Sequence, residues 1–239
     1  MNFITFVRSA LNALDFFQQR KIINFLKENL PNNIVLIDVG AHHGETIQLF
    51  LKKFELEEFH CFEASPINFE ILSKNILNMK NKKKYNLNNV GISDVIGNSF
   101  INQTNETSSS TINELNLNSK YLKKKLKILN IKKVEDFYKK IPIKLITLDN
   151  YIKENKINKI DILKIDTEGF EFNVIKGLNL NHKIINYIYF EHHYDNMIMK
   201  NYNFSEINII LKKYGFEKVY KSKMYFRKSF EYIYKNKFI

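Results

Sequence analysis

The sequence of 239 residues contains one cysteine, Cys61. That excludes an intramolecular disulfide and argues against a structural zinc cluster. Arginine is nearly as scarce: of 37 basic residues only Arg8, Arg20 and Arg227 are arginine. No apolar run reaches the roughly 18–20 residues that a bilayer span needs. The first 30 residues do not read as a secretory leader, because Arg8 interrupts the first apolar stretch, Asp15 follows, and no small-residue cleavage site is present. No internal repeat and no inter-domain linker is visible. These absences predict a cytoplasmic chain without an integral membrane segment, built as one domain with an appendage.

Hydrophobic residues make up 44% of the chain and aromatics 14%, enough for a sizeable core. The formal charge of +12 suggests a polyanionic partner at first sight. Lysine, however, is accompanied by 33 isoleucines and 32 asparagines, a bias that base composition alone can produce. The charge is also local. Residues 120–144 carry ten lysines against two acids, and residues 212–239 nine bases against two acids, leaving the remainder slightly acidic. With arginine this scarce, nucleic acid is the disfavoured partner.

Residues 1–30 read as a helical appendage, with Phe3, Phe6, Val7, Ala10, Leu14 and Phe17 on one face. Packing on its own domain is the simplest role for it, and a partner or membrane surface the alternative. From residue 31 strand-like and helix-like stretches alternate. Ile34–Asp38, Glu58–Glu63, Tyr85–Ser93, Ile143–Leu148, Asp161–Asp166 and Ile184–His192 read as strands. Glu45–Phe54, a helix opened by Ser65 and Pro66, Leu148–Glu154, Glu171–Leu178 and Ser205–Tyr214 read as helices, the last with Ser205 as N-cap. Phe216–Lys221 and Tyr225–Tyr234 finish as a strand pair. Residues 98–142 break the rhythm: Asn102–Asn118 reads as a long polar loop and Lys120–Lys140 as a basic helical region, together a lid-like insertion. Such alternation predicts an α/β fold, doubly wound around a mostly parallel sheet. Ligands then bind outside the carboxyl ends of the strands.

The first strand ends in Asp38-Val-Gly-Ala-His-His-Gly44, followed by a helix. Gly40 allows a tight turn and close approach of a ligand to the backbone. Glu63, at the tip of the second strand, is placed to accept hydrogen bonds from both ribose hydroxyls of a nucleoside. Ser93 and Asp94, closing the third strand, can reach an adenine edge. A dinucleotide site wants G-x-G-x-x-G, whereas here Gly40 and Gly44 frame Ala41, His42 and His43. Asp38 would repel a pyrophosphate but suits a cationic amino-acid group. The cofactor-binding candidates are therefore Asp38, Gly40, His42, Gly44, Glu63, Ser93 and Asp94, and the favoured cofactor is S-adenosylmethionine.

These residues resemble the FkbM-type class I methyltransferases, over about residues 34–222. The likeness rests on Ile37–Gly44, on Phe62–Pro66, on Val90–Asp94 with Gly97, and on Ile146–Asp149. Its most specific part is Asp161-Ile-Leu-Lys-Ile-Asp-Thr-Glu-Gly-Phe-Glu171, continuing to Gly177. The resemblance implies a Rossmann-like seven-stranded sheet and S-adenosylmethionine-dependent methyl transfer, often to oxygen atoms of sugars or natural products. Family members often carry proline directly after the equivalent of Glu63, whereas here Pro66 stands three residues on.

Methyl transfer to an alcohol needs alignment and a base. Asp166 and Glu168 follow one strand, and Glu191, His192 and His193 end another. Asp166, Glu168, His192 and His193 are the catalytic candidates, with at most one of the two histidines facing the site because side chains alternate. Asp166 and Glu191 could together hold a divalent cation, but no compact ligand spacing supports a metal, and none is expected. Thr107–Thr111 is placed to close over the acceptor. The expected function is O-methylation of a sugar, glycan or other small-molecule hydroxyl. RNA methylation through the basic segments, or a non-catalytic binding module, are the alternatives.

Overall fold

The computed structural model of the chain describes residues 18–79, 84–105, 107–224 and 228–239. The apolar face expected over Phe3–Phe17 lies outside the described residues. Residues 18–29 form helix α1. There follow β1 (Asn33–Val39), α2 (Glu45–Leu51), β2 (Glu55–Phe62), α3 (Pro66–Leu77), β3 (Lys84–Asn88), β4 (Gly91–Ile92) and β5 (Gly97–Thr104). The second half runs α4 (Lys120–Ile128), β6 (Tyr138–Ile146), α5 (Leu148–Glu154), β7 (Ile160–Ile165), α6 (Glu171–Lys176), β8 (Ile185–His193), α7 (Phe204–Lys213), β9 (Phe216–Lys223) and β10 (Ser229–Asn236).

The main sheet has seven strands in the order β3-β2-β1-β7-β8-β10-β9. All neighbours are parallel except β10, which runs antiparallel to both β8 and β9. Parallel strands covered on both faces need continuous apolar runs, and β7 is buried at every position. From β1 the chain first winds outward through β2 and β3 and later returns to the other side at β7. In sheets of this kind such a reversal marks where ligands bind, outside the carboxyl ends of β1 and β7. The register between these two strands is reinforced by buried Asp161, which accepts the Val35 N–H at 2.8 Å.

Two apolar layers flank the sheet. On one face Ile22 and Leu26 of α1 and Phe50 of α2 pack on Leu36, Ile162 and Tyr189. On the other, Val174, Ile175 and Leu211 pack on Ile37, Leu163 and Phe190. Each fully buried side chain of this size contributes about 1.5–3 kcal/mol of hydrophobic free energy. Among the described residues no helix is long and apolar enough to cross a membrane.

Three local expectations are corrected. Tyr85–Ser93 is two strands, not one. β3 joins the main sheet, while β4 joins a second sheet ordered β4-β6-β5. The break is stabilised by asparagine: Asn88 donates to the Cys61 carbonyl at 3.1 Å and Asn89 to the Glu63 carbonyl at 2.8 Å. Within residues 98–142, β5 is a strand that the sequence reading missed, and the basic helix stops at Ile128. Asn130, at φ 56, turns the chain out of the helix, and Tyr138–Ile146 then pairs antiparallel with β5. Finally, α7 is capped by Asn203, not Ser205. Its side chain accepts the Ser205 N–H at 2.8 Å while Glu206 reaches back to the Asn203 N–H at 2.9 Å, a capping box.

Candidate active site

The turn after β1 is built around glycine. Gly40 has φ +84, and a Cβ there would lie 1.9 Å from the Asp166 carbonyl oxygen. The amides of Gly40 and Ala41 both donate to the Phe62 carbonyl, at 2.9 and 3.0 Å, so the turn is tied to the end of β2. Gly44, at φ +92, caps α2. Between them the His42 amide donates to Glu63 Oε2 at 2.8 Å, and the Ser65 amide donates to Oε1 at 2.9 Å. Burial pushes the Glu63 carboxyl up to about 7 against these two bonds. The Asn68 side chain also bonds this carboxyl, and the acceptor capacity left over fits ribose hydroxyls.

The His42 ring lies between two elements. Its Nδ1 is 3.1 Å from Glu45 Oε1 and its Nε2 is 2.9 Å from Thr107 Oγ1 in the insertion. Burial opposes its charge, but Glu45 outweighs burial and raises its pKa. His43 stacks on it at 3.7 Å between ring centroids. Donor atoms of His42, His43 and Glu45 lie within 4.8 Å of one another. Asp38 is fully buried, and neither carboxylate oxygen has a hydrogen-bond partner among the described residues. Burial, opposed by Lys164 and aided by Asp166, Glu45 and Glu63, pushes its carboxyl up to about 7. An orphaned carboxyl beside a glycine turn and a ribose-type carboxylate fits a cationic nucleoside cofactor.

Ser93 and Asp94 are turned to α6. Ser93 donates to Asp94 Oδ1 at 3.2 Å, and Asp94 receives Asn173 Nδ2 at 3.0 Å and Lys176 Nζ at 2.5 Å. Burial would raise the Asp94 carboxyl, but these partners hold it below the usual range. A Cβ on Gly177 would lie 2.2 Å from the Ser93 carbonyl oxygen, so α6 approaches this strand end closely.

At the ends of β7 and β8 a second cluster forms. Asp166 receives Lys164 Nζ at 3.0 Å. Glu168 takes φ 49, and its carbonyl accepts Thr111 Oγ1 at 2.7 Å, while the Gly169 carbonyl accepts Asn113 Nδ2 at 2.5 Å. His193 Nε2 lies 3.4 Å from Glu168 Oε2 and 3.6 Å from Glu191 Oε1, and its Nδ1 lies 3.5 Å from Asp195 Oδ2. Burial opposes the imidazolium, but Glu168, Glu191 and Asp195 outweigh it and push its pKa up to about 10. Burial pushes the Glu168 carboxyl up to about 7, with His193 and Lys125 opposing and Asp166 and Glu191 adding to the shift.

His192 faces the other way, as strand alternation requires. Its ring sits among Tyr194, Phe204 and Tyr202 at 4.8, 5.7 and 6.0 Å. Burial, then Lys200 and His193, push it down to about 3, so it is a neutral ring in an aromatic cluster, apart from the Glu168 group. Glu171, which reads as a surface or capping residue, is buried and accepts the Gly169 N–H at 2.7 Å and the Tyr202 hydroxyl at 2.6 Å. It fixes the turn that presents Glu168. Asp195 and Tyr202 carry no motif of their own, whereas Lys164 lies within the Asp161–Glu171 stretch and Thr107 within the Thr107–Thr111 cluster, without the sequence recording the contacts they make.

A sheet of this order, with a glycine turn after its first strand and an acid after its second, is the Rossmann-like methyltransferase fold. The chain belongs to the methyltransferase FkbM domain family, whose profile matches residues 38–218. It is 26% identical over 165 residues to methyltransferase sdnD of Sordaria araneosa, and the match covers 64% of each chain. Among solved structures, the fold is similar to a methyltransferase FkbM from Methylobacillus flagellatus (TM-score 0.53, 14% identity, 86% of this chain and 45% of that one). Magnesium protoporphyrin IX methyltransferase from Synechocystis, solved with S-adenosylmethionine, gives TM-score 0.53 at 10% identity, covering 99% of this chain and 85% of that one. TrmK of M. capricolum, solved with S-adenosylhomocysteine, gives 0.52 at 10% identity, covering 90% of this chain and 67% of that one.

Proposed function

We propose that the chain transfers a methyl group to a hydroxyl oxygen of a sugar, glycan or other small molecule, with Glu168 as the base. The observation that carries this reading is the Glu168 carboxyl. It is enclosed at the end of β7, pushed up to about 7, and set 3.4 Å from His193. A base near neutrality combines a useful ionised fraction with enough basicity to take an alcohol proton.

The cofactor supplies an electrophilic methyl on a sulfonium. The chain's own residues bind and orient. Glu63 holds the ribose hydroxyls, the Gly40–Gly44 turn admits the amino-acid part, and Asp38 faces its positive charge. Ser93 and Asp94 stand at the adenine end, held by α6. Glu168 takes the proton of the acceptor hydroxyl as that oxygen attacks, and His193, kept cationic by its three carboxylates, orients Glu168. Asp166 is held by Lys164 beside it. Thr107 and Thr111 secure the insertion over both halves of the site and exclude water.

The test is an acceptor screen with methyl-labelled S-adenosylmethionine against sugars, lipid-linked glycans and RNA. Label recovered as a methyl ether, and abolished by Glu168→Gln, supports the reading. Label recovered on RNA, or on nitrogen or carbon of any acceptor, overturns it.

A further inference from the structure

We propose that Lys164 is a positioning residue of the cofactor site: its single buried ammonium is shared among Asp38, Asp166 and Glu231, so that a cationic cofactor is taken up in exchange for a proton on Asp38. The inference rests on the reading that Asp38 faces the positive charge of S-adenosylmethionine.

The geometry is set by strand register. Lys164 stands beside Asp38 across the parallel β1/β7 pair, where neighbouring strands are about 4.8 Å apart and register partners share a face. Its ammonium lies 3.0 Å from Asp166 Oδ2 and 4.9 Å from the centre of the Tyr189 ring. Glu231, on β10, is buried opposite Glu191 of β8, and one of its oxygens has no hydrogen-bond partner among the described residues. Lys164 is the one buried lysine or arginine among the described residues. Burial opposes the ammonium, but Asp166, Glu231 and Asp38 outweigh it and hold it protonated, above the ordinary lysine range.

One cation cannot neutralise that many carboxylates, and unpaired buried charge is costly. Protons make up the difference. Asp38 is pushed up to about 7 and Glu231 to about 8, burial being the main cause for each. The groups that face Asp38 are Lys164 and Asp166 of the β7 end, Glu45 of α2, Glu63 after β2, and Cys61 beside it on β2. Only Lys164 among them favours its ionised form. S-adenosylmethionine carries a sulfonium and an ammonium against one carboxylate, a net single positive charge. Bound beside Asp38 it replaces the proton. Below about 7 uptake therefore releases a proton, and affinity climbs with pH until Asp38 is ionised without help.

The experiment is calorimetric titration of the full chain with S-adenosylmethionine, between about pH 5.5 and 8.5, in buffers of different ionisation enthalpy. The native protein should gain about tenfold in affinity between pH 6 and 8 and release close to one proton per cofactor at the acidic end. Lys164→Met removes the stabilising cation and should move this rise to higher pH by about one unit. Asp166→Asn removes a repelling anion and frees Lys164, so the rise should move to lower pH. A merely structural role would not send the two midpoints in opposite directions. Should Lys164→Met fail to fold, the direction of the Asp166→Asn shift decides. If neither variant moves the midpoint while Asp38→Asn flattens the profile, Lys164 does not position Asp38. If Asp38→Asn keeps the native profile, the reading of Asp38 itself fails.

Discussion

Glu168 and His193 arrive from the ends of two adjacent strands and meet at 3.4 Å between Oε2 and Nε2, the carboxyl pushed up to about 7 and the imidazole to about 10. At neutral pH the histidine is therefore the cation and the carboxylate the acceptor of the proton. Glu168 is raised above its ordinary value, so its base form grows as pH rises through about 7. Turnover should rise over the same window. Glu168→Gln should lower turnover by about 10²–10⁴ and leave S-adenosylmethionine affinity within about twofold. His193→Gln removes the main opposing cation, so the rise in turnover should move to higher pH. A pH–rate curve that is flat from 6 to 8 would exclude Glu168 as the base.

Two glycines give a matched stability test. At Gly40 the backbone is left-handed, and a Cβ would meet the Asp166 carbonyl at 1.9 Å. At Gly97 no atom lies within 4 Å of the added Cβ. Gly40→Ala should cost about 1–3 kcal/mol or more from strain and displacement and should weaken S-adenosylmethionine binding with it. Gly97→Ala should stay within about 0.5 kcal/mol of the native chain. Urea denaturation midpoints compare them directly.

The strands that carry the site were the most legible part of the sequence. β1 and β7 are buried on both faces, and such strands show as apolar runs whatever surrounds them. Glu63 and the Gly40–Gly44 turn were legible because a ribose carboxylate and a close backbone approach each demand one residue type at one place. β5 was not. Its Asn, Ser, Gln and Thr residues carry no strand pattern, and it exists because β6 pairs along its whole length. The roles of Thr107 and Tyr202 were hidden for a different reason: each acts through a partner far away in the chain, His42 and Glu171, and no local spacing records that partner. His192 and His193 were separable only by alternation, which said that one faces the site but not which.

The insertion touches the site at both ends. Thr107, itself at φ 57, meets His42 at 2.9 Å, and Thr111 meets the Glu168 carbonyl at 2.7 Å. Ser110 ties the segment internally, donating to the Thr107 carbonyl at 2.8 Å. Thr107→Ala frees the cofactor end alone. S-adenosylmethionine should then leave several-fold faster in stopped-flow displacement, and amide exchange should quicken near residues 107–111. Thr111→Ala should quicken exchange at Gly169 and lower turnover with less effect on cofactor release. Equal release rates in the native chain and Thr107→Ala would show that this contact does not restrain the cofactor.

Glu231 is a buried acid with a stability cost that depends on pH. It stands opposite Glu191, and burial, opposed by Lys164 and aided by Glu191 and Asp166, pushes its carboxyl up to about 8. In the unfolded chain a glutamate ionises near 4.3. Because the folded value is the higher one, its favourable contribution is complete below the unfolded value and is lost as pH rises through about 8. Glu231→Gln keeps the shape and removes the ionisation. The variant should match the native chain near pH 4.5 and become progressively more stable toward pH 8, by on the order of 1 kcal/mol or more, or about 2–4 °C in melting temperature. Lys164 remains protonated through its pairing with Asp166 at 3.0 Å, so removing Glu231 does not strand the ammonium. A melting-temperature difference that is constant from pH 5 to 8 would show that Glu231 does not hold a proton in the folded chain.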